Sequence, residues 1–209
     1  MHDLLAGARY DELELEPYWA EFNENFWLTD SSGFWKLERQ QHFREPGYDT
    51  WEAFARGDWE ESLRLLEGHR PALEAEHRRA AALGFAIRRV RVVEEPIGPY
   101  LQWELHVLRL REECGTGVRI VRSGEVARLE QHGLLPEIYT LGTRIMYQAL
   151  YDDLGVLHAV RRYTDPPLIE RAQRLIADLY SAGEPLEDYF AREVAVLPPP
   201  TEQSRFTMT

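Results

Sequence analysis

The sequence predicts an α/β fold: a single mixed, mostly parallel sheet with helices on both faces and a C-terminal hairpin plus helices. Three observations carry this expectation. Short β-branched runs alternate with amphipathic stretches in the order α β α β α β α β β β α α, and strands joined by helices favour right-handed crossovers and parallel pairing. The stretch over residues 99–114 reads as a helix that is apolar around well over half of its circumference, which marks it as buried. A late Asp152-Asp153-Leu154-Gly155 turn separates two strand-like runs at hairpin spacing.

Taken in order, residues 1–16 read as a polar N-terminal arm with an acidic run. Pro17 suits the start of a helix in which Tyr18, Phe22 and Phe26 share one face at i, i+4 spacing. Asp30-Ser31-Ser32-Gly33 is a turn. The next run, Phe34 to Phe43, reads as a strand that would place Phe34, Glu38 and His42 on one face. A loop follows, then a helical turn near Thr50. Asp58 suits the cap of a long helix that Pro71 kinks or splits and Gly84 ends. Strands are expected over 86–93 and 118–121, a helix from Ser123 to about 130, and strands over 138–141, 144–150 and 156–163. Asp165 then caps an amphipathic helix whose face is Leu168, Ala172, Leu175, Ile176 and Leu179. Residues 17–196 form a single α/β domain, and the Pro-rich tail over 197–209 is expected to be disordered.

The stretch Arg88 to Gly115 organises the chain. Pro96 and Pro99 break its strand and start the buried helix, where proline costs least, and Gly115 ends it. Within that helix Glu104 falls inside the apolar arc, in projection about 40° from Tyr100 and about 60° from Val107. A carboxylate on the dry side of a helix must be paired or lose its ionisation. Arg89, Arg91 and Arg111 are the candidate partners. Two roles are open: a packing device, or a pocket carboxylate. In the second role Glu38, His42, Arg91, Tyr100, Trp103 and Glu104 form a ligand-binding set, with Glu104 and His42 as the candidate catalytic groups.

Composition narrows the classes. Hydrophobic residues at 44% suffice for a substantial core. No run approaches the roughly 18 apolar residues of a membrane span, and the N-terminus lacks the basic and apolar regions of a signal peptide, so a cytoplasmic location is expected. One cysteine, Cys114, excludes an internal disulfide and a multi-cysteine metal site. No metal or cofactor is expected; Glu74-x-x-His77 lacks the further ligand-bearing helices a carboxylate-bridged site needs. The net charge of −12 argues against direct nucleic-acid binding and suits docking on a basic protein partner.

The nucleotide-loop, dinucleotide, nucleophile-elbow and zinc-protease motifs are missing from the sequence. His42-Phe43-Arg44 followed by Asp49 has the spacing of the phospholipase D signature with arginine for lysine, but it runs into Pro46-Gly47 and has no second copy.

Four runs carry a family resemblance: F-W-K-L-E-R-Q-Q-H-F, W-E-A-F-x-x-G-D-W, R-V-R-V-V-E-E-P-I-G-P-Y-L-Q-W-E-L and V-R-I-V. Over roughly residues 26–190 the chain resembles an uncharacterised actinobacterial domain-of-unknown-function family, whose members are often encoded beside helix-turn-helix regulators. More weakly, the last third looks like the non-catalytic phospholipase D-like domains of some transcriptional regulators, in which a hairpin precedes a D-x-P-x-L helix like that at Asp165. The resemblance implies a non-enzymatic binding or accessory module tied to transcriptional regulation, docking a helix-turn-helix regulator or other protein partner, or a small ligand. The alternatives are a small-molecule tailoring enzyme or diverged phosphodiesterase-like hydrolase using Glu104 and His42, and a toxin–antitoxin component.

Overall fold

In the computed structural model, which describes residues 4–200, eight strands form one mixed sheet. The elements are β1 (Asp11–Glu14), α1 (Leu15–Phe26), β2 (Phe34–Glu38), α2 (Asp49–Arg56), α3 (Trp59–Gly68), α4 (Arg70–Ala82), β3 (Ile87–Val93), α5 (Pro99–Glu113), β4 (Gly117–Arg122), α6 (Ser123–Val126), β5 (Ile138–Leu141), β6 (Ile145–Tyr151), β7 (Leu157–Tyr163), α7 (Pro166–Ala182), β8 (Glu184–Pro185) and α8 (Leu186–Tyr189), which runs into a π-helical turn, Phe190–Val194. The spatial order is β1-β7-β6-β5-β2-β3-β4-β8.

The expectation of a mostly parallel sheet is corrected. Only β2–β3 and β3–β4 run parallel; the five other pairings are antiparallel. The reason lies in connection length. Helices α2 to α4 and then α5 are long enough to cross back and align β2, β3 and β4, whereas the short turns between β5 and β6 and between β6 and β7 can join only antiparallel neighbours. Residues 11–14, expected to belong to a loose arm, pair with β7 as an edge strand. The expected long helix is split at His69 into α3 and α4, and the helix from Ser123 stops at Val126. The phospholipase D-like likeness gains no support: His42 lies in the irregular segment between β2 and α2, and Asp49 opens α2 and pairs with His69. Of the tail expected over 197–209, residues 201–209 lie outside the described residues.

Helices cover both faces. On one, α7 packs Leu168, Ile169, Ala172 and Ile176 onto Leu37, Val90, Val121, Ile138 and Met146. Burying each large aliphatic side chain there is worth about 1.5–3 kcal/mol. On the other face, α1 sets Tyr18 and Phe26 over β5 to β7, and α5 sets Leu101, Leu105 and Leu108 over Val93, Val118 and Ile120. The turn into β2 needs Gly33. Its φ is +90°, and a Cβ there would lie 2.9 Å from the Ala86 carbonyl oxygen, which accepts the Phe34 N–H.

No helix among the described residues is long and apolar enough to cross a membrane.

Candidate functional site

Alternation along β2 and β3 builds the floor of the site. Phe34, Lys36 and Glu38 point to one face of β2, and their registered neighbours Ile87, Arg89 and Arg91 point to the same face of β3. Helix α1 covers the sheet on one side of this floor and α5 on the other. Between them lies a cavity of about 710 Å³, within the range of small-molecule sites. Its floor is charged, with Lys36, Glu38 and Arg89. Phe22, Trp27, Tyr139 and Tyr151 make an aromatic wall. Helix α5 supplies Tyr100, Glu104 and Arg111, and the loop after β2 supplies Glu45.

The ion pairs are ordered across the floor. Glu38 takes Lys36 at 2.6 Å and Arg89 at 3.1 Å. Glu104 takes the Arg91 Nε donor at 2.8 Å and Nη2 at 2.6 Å. Arg91 is fully buried, and its Nη1 donates to the Val92 carbonyl at 3.1 Å. Burial alone would raise the pKa of Glu38, but Lys36, Arg89 and Arg91 outweigh it and hold the carboxyl low. Glu104 goes the other way: burial, with Glu38 and Glu45 nearby, raises it against the pull of Arg91. Burial also raises Glu45, against the hydrogen bond it accepts from the Tyr100 hydroxyl at 2.6 Å. Arg111 is half-buried, and its guanidinium makes no hydrogen bond or ion pair with any described residue; burial and the neighbouring Arg89 lower its pKa. Behind the floor, Glu137 is buried beside Arg91 and raised to about 7 by desolvation.

The six residues expected to bind a ligand divide into three groups. Glu38, Tyr100, Trp103 and Glu104 line the cavity together. Arg91 stands behind the wall and acts through Glu104. His42 lies beyond the end of β2, not on its face as the alternation suggested. Its ring sits 5.4 Å from that of Tyr100, outside the cavity wall. Burial and Arg44 lower its pKa. Trp103 is 1% exposed, stacks on Phe54 and donates to Ser62 Oγ at 3.0 Å, so it is pinned by packing. Glu74 and His77, weighed as metal ligands, are otherwise engaged: Glu74 pairs with Arg78 and His77 bonds Thr116.

Sequence reasoning missed Lys36 and Glu45 and the aromatic wall. Lys36 had a readable signal: a charge between Phe34 and Glu38 on a strand face that the apolar pattern buries. Glu45 had none, because loop geometry alone brings it to Tyr100.

The fold and site define a class: a mixed α/β protein that holds a charged, aromatic-walled cavity between two helices on one face of its sheet. The chain belongs to the family described as domain of unknown function DUF6879, whose model matches residues 20–191. No curated protein matches it. Among solved structures it is similar to TrmBL2, described as an archaeal chromatin protein with a novel mode of DNA binding. The two share 10% identity with a TM-score of 0.43, and the match covers 87% of this chain and 56% of that one. The chain thus spans little more than half the length of that protein.

Proposed function

We propose that this protein is a non-enzymatic accessory module that binds a small ligand in the cavity between α1 and α5 and passes its occupancy to a protein partner. The observation that carries the reading is the cavity: about 710 Å³, walled by aromatic rings and floored by ordered charges. Its two best-placed carboxylates, Glu38 and Glu104, are already engaged by cations, which suits positioning and recognition more than turnover. A partner of the helix-turn-helix regulator class is proposed from the family resemblance and is consistent with a net charge of −12.

The test is a thermal-shift screen of small metabolites, with Ala149→Phe as the control. Ala149 lines the cavity, so a ring there occupies the ligand's space. A compound that raises the melting temperature of the parent and not of Ala149→Phe supports the reading; a screen in which the two proteins respond alike refutes it.

One observation favours a second reading. Glu104 is a cavity carboxyl with a raised pKa, the state a general base needs. An enzyme would then lose turnover on Glu104→Gln while retaining ligand affinity; loss of affinity without any turnover in the parent excludes it.

A further inference from the structure

Three of the carboxylates facing the cavity have partners within the protein. Glu38 holds Lys36 and Arg89, Glu104 holds Arg91, and Glu45 accepts from Tyr100. Glu76, also on the wall, acts on Arg111 only from beyond ion-pair distance. Besides Glu76, the unmatched group is a cation. Arg111 lines the cavity, and its five N–H donors make no hydrogen bond or ion pair with any described residue. The neighbouring Arg89 adds a second guanidinium whose Nε is buried with no partner. Two like charges side by side in a partly dry space destabilise each other, and an anion placed between them removes that cost. Arg111 does sit in the last turn of α5, where a cation suits the helix dipole. An arginine directed to solvent from that turn would serve the purpose equally. The dipole therefore does not explain why Arg111 faces the cavity.

Resting on the reading of this cavity as a small-ligand site, we infer that its ligand is an aromatic acid: a flat apolar body against Phe22, Tyr139 and Tyr151, and an anionic group on the Arg111 guanidinium with Arg89 beside it. The planar fork of arginine matches a carboxylate or a similar oxyanion, and charge-assisted bonds in a partly desolvated site are the strong ones. The aromatic wall and the guanidinium lie on the same cavity, so one molecule can reach both.

Two fluorescent probes with the same body isolate the anionic contribution. They are 8-anilinonaphthalene-1-sulfonate and its uncharged counterpart N-phenyl-1-naphthylamine. If only apolar contact counts, the uncharged probe binds at least as tightly. The expectation is saturable one-to-one binding of the sulfonate with about tenfold higher affinity than the neutral probe, as one charge-assisted contact supplies. Arg111→Gln should abolish that preference and leave the affinity for the neutral probe alone. Its melting temperature should equal or exceed the parent's, because the cation removed has no partner. In the parent, rising salt should weaken the sulfonate and spare the neutral probe, a measurement that needs no variant. Equal affinities for the two probes, a preference that survives Arg111→Gln, or an Arg111→Gln protein that melts well below the parent would overturn the inference while the cavity reading stands. If neither probe saturates, or if Ala149→Phe leaves both bound as before, the cavity reading fails and the inference with it.

Discussion

Removing the Glu104 carboxylate isolates what the buried pair contributes. Arg91 is 0% exposed, and Glu104 is its partner at 2.6 and 2.8 Å. In Glu104→Ala the guanidinium stays charged, because arginine does not deprotonate in proteins, and it keeps hydrogen bonds only to the Val92 and Glu38 carbonyls at 3.1 and 3.4 Å. Glu137 acts on it from nearby but makes no ion pair with it. Breaking such a pair from one side costs about 3–5 kcal/mol. For a chain of this size each kcal/mol moves the melting temperature by about 2–4 °C, so Glu104→Ala should melt roughly 6–20 °C below the parent. Glu104→Gln keeps the volume and an acceptor for Arg91 and should lose less. Arg91→Met combined with Glu104→Ala should recover part of the loss, since no buried charge remains. The assay is calorimetry at pH 8, where the carboxyl is ionised in spite of its raised pKa. A Glu104→Ala protein melting within a degree or two of the parent would refute the argument, because the cavity would then be solvating Arg91.

Three further outcomes are expected. Glu137 is raised to about 7 against an ordinary value of 4.5. Its contribution is fully present below pH 4.5 and is lost as pH rises through 7, by on the order of 3 kcal/mol; Glu137→Gln should flatten that slope in pH-dependent denaturation, and an unchanged slope would place the proton elsewhere. Gly33→Ala should cost about 2 kcal/mol or more, from its left-handed φ and the approach to the Ala86 carbonyl; urea denaturation with a midpoint equal to the parent's would contradict this. The isolated protein, at net charge −12, should show no saturable binding to random duplex DNA at about 1 µM in low salt; salt-sensitive retention in a filter-binding or anisotropy assay would count against the accessory-module reading.

The sequence by itself determined much of the local structure. Proline at the start and glycine at the end bounded α5, the amphipathic period of α7 named its buried face, and the turn at Asp152–Gly155 marked the β6–β7 hairpin. It also singled out Glu104 as a charge needing a partner, because 3.6-residue periodicity is a local property of the chain. It could not choose among Arg89, Arg91 and Arg111, since that choice depends on the register of β2 against β3 and on where α5 lies across them. Sheet direction was likewise beyond local pattern: parallel and antiparallel strands carry the same alternation, and connection geometry decided between them. The cavity belongs wholly to the tertiary structure. It exists because α1 and α5 cover separate parts of one sheet face and leave the charged middle of β2 and β3 uncovered, a spacing set by packing between residues far apart in the chain.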